Sequence, residues 1–418
     1  MRTFDWNRLR QEPYRLLFPL GAAFGCLGVT HWLLYAMGMA GASPQYHASI
    51  QLGSYLYCFI AGFLWTALPR MSGTEKASSF ELLMLLGLLA AQTVLLTLGK
   101  NTIAQICFAG LLILLISFAA RRMAARRTPA QGPTEFIWIP IGIGFGLIGS
   151  GLWVVGALVA MPTWLVADGR VMAQQGFTLS LVVGVAGFMA PRLTGHAKPL
   201  VQTGLAADSV EKARRKRIAE HLLAAGLLGL SFIIEGIGAI RTAYALRAII
   251  VTAELGWRAR WWEPPVVKDS YVWLLWLSLW FVIVGLWAVA CWPTHRVAML
   301  HLVLIGGFSL MIFTVGTMVV LSHAGKAEML HSPLWILKVV AVGVIGATTA
   351  RVLADLWTEH YFVLLAAAAL SWLAAGISWF VFIFPWVLRT APESEFERIH
   401  EQAKRRVLSE RSIRKPVC

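Results

Sequence analysis

The chain is a succession of about twelve apolar stretches, each long enough to cross a bilayer. They fall at about 16–39, 46–68, 80–99, 102–120, 135–161, 171–190, 218–240, 242–257, 271–292, 297–322, 333–355 and 361–387. Of its 418 residues 58% are hydrophobic and 14% charged, more apolar surface than a soluble chain of this length can bury. In hydrocarbon each backbone N–H and C=O must be satisfied within its own segment, so these runs are helices. The expected fold class is all-α, a polytopic membrane protein. The first run is too long for a signal-peptide core and no small-residue cleavage site follows it, so it reads as a retained helix.

Lys and Arg fall unevenly on alternate connections. One side collects Arg2, Arg8, Arg10, Arg15, Arg70, Lys76, Arg121, Arg122, Arg126, Arg127, the 192–217 segment, Arg258, Arg260, Lys268, Lys326 and the basic tail, whereas the other has Lys100, Arg170, Arg241 and Arg296. By the positive-inside rule both termini are cytoplasmic, which requires an even number of spans and so agrees with twelve. The net charge of +15 is then a topology signal and a contact with anionic lipid head groups, not a nucleic-acid patch. Residues 1–390 read as one twelve-helix membrane domain whose two six-helix halves are joined by the basic loop 191–217. Residues 391–418 read as a cytoplasmic tail with a short surface helix around Glu393 to Ser409. Cys26, Cys58, Cys107, Cys291 and Cys418 form no CxxC or CxxCH pattern, so any haem is held without covalent attachment.

The histidines sort by depth. His301 and His323 stand at the two ends of the tenth run. Twenty-two helical residues span roughly 33 Å and return the second side chain to within roughly 40° of the first, so the two face the same way but cannot share one metal. If both are ligands, there is a site at each membrane surface. His47, His301, His31, His295 and His360 lie toward the outer face; His323, His331, His196 and His221 lie toward the inner face. Neutral imidazole is a common ligand of haem iron and copper, and a buried ionisable group is costly in lipid unless partnered. His47, Gln51, Ser54 and Cys58 recur on one helical face that must point into the bundle. Gln51 and Ser54 read as hydrogen-bonding contacts to neighbouring helices, and His47 as a ligand opposite His301. His31 and His221 are each either a hydrogen-bonded packing residue or a ligand; His196, His295, His331, His360 and His400 read as solvated. Glu235 and Arg247 lie deep enough to require pairing, and Arg351, near the outer end of its run, is the candidate to hold a haem propionate.

The run IleAlaGlyPheLeuTrpThrAlaLeuPro at 60–69, with His47 thirteen residues before it, resembles the second-helix signature of the NnrS family of bacterial membrane proteins. The segment from His301 to Lys326, ending LeuSerHisAlaGlyLys, is similar to that family's late helix with a His at each end. GlyPheMetAlaProArgLeuThrGly at 187–195 resembles its Gly-Arg-x-x-Pro motif. The resemblance implies an inner-membrane protein containing haem b and copper, connected with nitric oxide in denitrification or in protection from nitrosative stress. It places His47, His301 and His323 at the family's recurrent His positions, as metal ligands. The family's second His is Ser49 here, its Glu-Met pair is Ile50 and Gln51, and two of its arginines are Phe188 and Met318. These departures weigh against copper more than against haem. Two other classes remain open: a twelve-helix secondary transporter, which explains the helices and buried charges, and a non-catalytic haem-binding sensor or assembly factor.

Overall fold

A computed structural model describes residues 5–127, 132–196, 207–258 and 260–389. Among these residues all regular secondary structure is helical. The long helices are α1 (Tyr14–Ala36), α2 (Pro44–Ser72), α3 (Ser79–Thr97), α4 (Asn101–Ala124), α5 (Thr134–Leu158), α6 (Thr163–Leu193), α7 (Asp208–Gly236), α8 (240–258), α9 (Ser270–Cys291), α10 (Pro293–His323), α11 (Trp335–Leu356) and α12 (Thr358–Val387). Eleven of them are long and apolar enough to cross a membrane. The exception is α8, which matches the run at 242–257 but carries Arg241, Arg247, Glu254 and Arg258. The tail from residue 390, with His400, Cys418 and the expected surface helix, lies outside the described residues.

The basic loop is shorter than its charge pattern suggests. Helix α7 begins near residue 208, so the run Glu211–Arg217 is helical. Lys, Arg, Glu and Ala are strong helix formers, and Glu211 and Arg215, four residues apart, pair at 2.9 Å.

Each helix packs against the next in sequence, and α12 closes the circuit against α1. Within that circuit α2 and α10 are the most deeply buried spans. With α6 and Phe18 of α1 they line a partly open apolar cavity of about 110 Å³, whose walls include Ile60 and Phe63 of α2, Leu181 and Val182 of α6, and Met311 and Val315 of α10.

Small residues on α1 allow α2 its position. A Cβ at Gly28 would stand 2.7 Å from Gln51 Nε2, and one at Gly21 would stand 2.8 Å from the Phe59 ring. The close approach lets Gln51 Nε2 donate to the Gly25 carbonyl at 2.8 Å. On the other side, Trp372 and Trp379 of α12 donate to Ser309 Oγ at 3.1 Å and to the Phe313 carbonyl at 3.0 Å, tying α12 to α10.

Four spans contain a π-helical stretch: Gln51–Leu56 in α2, Met172–Gly176 in α6, Thr252–Arg258 in α8 and Leu302–Ser309 in α10. Such stretches leave i→i+4 hydrogen bonding and recur at functional sites. Here one begins four residues after His47 and another immediately after His301, while the other two contain Gln175 and Glu254, which hold buried partners described below.

Candidate functional site

Four of the sequence candidates gather at the face opposite the basic one. His47, in the first turn of α2, points its Nδ1 at the Gly28 carbonyl of α1 at 3.0 Å. His301, just before the π-helical stretch of α10, points its Nδ1 at the Val297 carbonyl at 2.6 Å. A carbonyl only accepts, so Nδ1 carries the proton in both rings and Nε2 holds the lone pair. Among the described residues neither Nε2 has a hydrogen-bond partner. Electrostatic interactions couple His47 to His31, His301 and Arg351, and His301 to Arg351. The His31 ring lies tilted against Tyr46, with ring centroids 5.2 Å apart, and its buried Nε2 has no partner among the described residues. Arg351 Nη1 is likewise buried without one. A buried guanidinium N–H without an acceptor costs about 1–3 kcal/mol, so an acceptor beside Arg351 would be favoured.

The basic face is arranged differently. His323, the last residue of α10, has its Nδ1 3.1 Å from Glu12 Oε1 and its Nε2 3.0 Å from Arg70 Nη1. Arg70 Nη2 also donates to Glu12 Oε1, at 2.6 Å. Arg15 pairs with the same carboxylate and donates to the Val387 and Arg389 carbonyls, at 2.7 and 2.9 Å, at the end of α12. Burial of Glu12 works against its charge, but the hydrogen bond from His323 and the adjacent Arg15 prevail and hold it well below the usual carboxylate range. Beside this network a cavity of about 430 Å³ is lined by Phe63, Thr66, Ala67, Arg70, Met71, Val319 and His323.

His221 is buried within α7. Its Nδ1 lies 2.8 Å from Glu254 Oε2 of α8, Trp138 Nε1 lies 3.2 Å from the same nitrogen, and its Nε2 is buried without a partner. Deeper pairing of Glu235 and Arg247 is present as expected: Arg247, fully buried, meets Glu235 at 2.6 Å, and Arg296 meets the other carboxylate oxygen at 2.7 Å. Arg247 also donates to Ser231 Oγ at 2.9 Å and Gln175 Oε1 at 3.1 Å. The expected helix contacts of Gln51 and Ser54 are found as well, the latter with Thr93 at 3.4 Å, and Cys58 is a fully buried packing residue.

Of the histidines expected to be solvated, His331 is exposed and pairs with Asp269 at 2.9 Å. His295 pairs with Asp355 at 2.7 Å, and His360 lies against Trp357. His196 departs from the expectation: its side chain is mostly buried, with Nε2 3.0 Å from the Pro264 carbonyl and Nδ1 3.5 Å from Glu263. The segment after α8 folds back over it, which loop composition does not reveal.

Sequence reading missed Glu12, Arg15 and Arg70 as partners of His323, and Glu254 as partner of His221. The one signal for them was chemical: a buried imidazole or acid needs a counterpart.

The family resemblance turned on the run at 60–69 with His47 in α2, the motif at 187–195 at the end of α6, and α10 with a His near each end. The family model described as NnrS protein matches residues 8–390, nearly the whole chain. The chain belongs to the NnrS family. The match takes in all twelve long helices and every histidine but His400. No curated protein matches the chain.

Proposed function

We propose that this NnrS-family protein is a haem-binding protein of the bacterial inner membrane, acting in nitric oxide metabolism or in protection from nitrosative stress. The observation that carries the reading is the shared state of His47 and His301: on adjacent central helices, each ring spends Nδ1 on a backbone carbonyl and keeps Nε2 for a metal. Fixing the outer nitrogen in this way is how proteins orient metal-ligating imidazoles. These two residues would hold the iron, and the unsatisfied guanidinium of Arg351 would hold a propionate. Haem b with two imidazole ligands supplies electron transfer; nitric oxide, a neutral diatomic, needs no charged channel to reach it through lipid. His31, with its orphaned Nε2 nearby, is a second hydrogen-bonding group at the same rim.

Copper has weaker support. Among the described residues no three His, Cys, Asp or Glu side chains converge to hold a metal ion. At the basic face both nitrogens of His323 already face protein groups, so the reading places iron at the opposite rim alone. The transporter alternative draws on two matching halves, whereas the central cavity is built from α2, α6 and α10. A non-catalytic sensor or assembly factor shares the same haem site, and turnover of nitric oxide by the purified protein separates it from an enzyme.

The test is the visible absorption spectrum with a pyridine haemochrome assay on purified wild type, His47→Ala, His301→Ala and His323→Ala. Wild type and His323→Ala are expected to carry the same reducible haem, and the other two variants to lose most of it or its six-coordinate spectrum. A colourless wild type, or a haem retained unchanged in both His47→Ala and His301→Ala, overturns the reading.

A further inference from the structure

Asp168 has no part in the haem reading, and its surroundings are specific. It lies in the second turn of α6, beneath the face opposite the basic one, and is 4% exposed. Among the described residues its carboxyl makes no hydrogen bond and no ion pair. Around it α6 packs against α5 and α7. Gly236, the last residue of α7, makes the room: a Cβ there would collide with Asp168 Oδ2 and stand 2.9 Å from the Trp164 ring.

A charged carboxyl at this place is poorly compensated. Burial works against its charge, no donor meets it, and the neighbouring Glu235 repels it. The end of α7 adds to this, because the C-terminal pole of a helix is negative. Arg247 is the cation that interacts with Asp168, but it already meets Glu235 at 2.6 Å and donates to Ser231 Oγ and Gln175 Oε1. Arg296 of α10 takes the other Glu235 oxygen at 2.7 Å. Tyr244 of α8 lies under the Arg247 guanidinium, and Arg170, on the same helix as Asp168, turns to the Trp153 ring of α5. Helix α5 brings no charge here, since its one charged residue, Glu135, stands at its opposite end.

These surroundings select the ligand. A metal cation takes several oxygens, whereas both Glu235 oxygens face arginines and, among the described residues, no third acid joins the pair. Arg247 also repels a second cation. On Oδ2 the close contact with Gly236 suits a hydrogen rather than a larger group. An acid left unpaired inside a span is costly, and such acids recur in the proton relays of membrane proteins. We propose that Asp168 is a proton-binding site, a buried carboxylic acid that exchanges one proton with the aqueous phase at the face opposite the basic one, beside the ion-paired Glu235 and Arg247. On release its O–H bond breaks, the proton passes to water, and the electron pair stays on the carboxylate, near Arg247. Uptake reverses the step.

The experiment is infrared spectroscopy of the full-length protein in nanodiscs, titrated from about pH 5 to about pH 10, in wild type, Asp168→Asn and Glu235→Gln. Wild type is expected to show the C=O band of a protonated carboxyl at neutral pH, where an ordinary aspartate, with a pKa of about 3.9, is ionised. The band is expected to shift in D2O, to vanish on alkaline titration and to be absent from Asp168→Asn. Glu235→Gln removes the repelling charge and leaves Arg247 less engaged, so the midpoint is expected to fall by about one pH unit or more, a tenfold or larger gain in acidity. If Asp168→Asn does not fold, that midpoint shift decides. The readout does not require haem, so this proposal and the haem reading fail separately. No protonated carboxyl at neutral pH, a band retained in Asp168→Asn, a band insensitive to D2O and pH, an unmoved midpoint in Glu235→Gln, or loss of the band on adding sodium at fixed pH each overturns the proposal.

Discussion

At the scale of single residues, the chain places ionisable groups in lipid only where something compensates them. Glu12 shows the magnitude. Removing one partner of a buried pair costs about 3–5 kcal/mol, because the other charge is left uncompensated. Glu12→Gln, which strands Arg15 and Arg70 beside His323, is expected to lower thermal stability by roughly that amount, measured by thermal unfolding in detergent. The pH dependence has a definite sign. Since folding lowers the Glu12 pKa below its unfolded value, its contribution is complete above the ordinary glutamate range and is lost as pH falls below it. Wild type is therefore expected to lose stability on acidification from pH 5 to about pH 3, and Glu12→Gln to lose less over that interval. Equal slopes for the two proteins would mean that the carboxylate is not charged in the folded state. The sequence revealed that His47 lies on a face turned into the bundle and that Glu235 and Arg247 pair, because those inferences rest on depth and helical period alone. It did not reveal that Glu12 meets His323, 311 residues away, because which helix ends become neighbours is decided by packing.

At the scale of elements, helix positions were legible from apolar length, whereas the departures from regular helix were not. The π-helical stretches have no signature in a run of Leu, Gly and Phe; they arise where neighbouring helices hold the chain in a widened turn. Two of them lie beside His47 and His301. Glycines on α1 let α2 approach closely. Gly28→Leu is expected to push α2 away from α1, break the His47 contact to the residue 28 carbonyl and lower haem occupancy severalfold. Gly226→Ala, in α7, meets nothing within 4 Å and is expected to leave haem unchanged and stability equal or up to about 1 kcal/mol higher. Haem per protein and the unfolding temperature of the two variants, measured side by side, check both. Intact haem binding in Gly28→Leu would show that the α1–α2 approach does not set the site. The start of α7 was misread for a related reason: a run of like charges resembles a loop by composition, although its residues favour helix.

At the scale of the whole molecule, the bundle is a closed circuit of helices around a centre built from α2, α6 and α10. Closure depends on few polar contacts. Arg15 joins the start of α1 to the end of α12 through two carbonyls, placing both ends of the bundle at one face. Arg15→Ala is expected to free the end of α12, seen as faster proteolysis near Arg389 and about 3 kcal/mol or more of lost stability, while haem at the other rim persists. Both tight ends of α2 and α10 then carry chemistry: imidazoles with available lone pairs at one rim, an acid-backed imidazole beside a cavity at the other. The claim on which the functional reading turns is that His47 and His301 would together hold one haem iron. Electron paramagnetic resonance of the oxidised purified protein tests it most directly. A low-spin six-coordinate haem signal, converted to a high-spin five-coordinate one or lost on His47→Ala and on His301→Ala, is the expected result; a signal unchanged by both substitutions would contradict it.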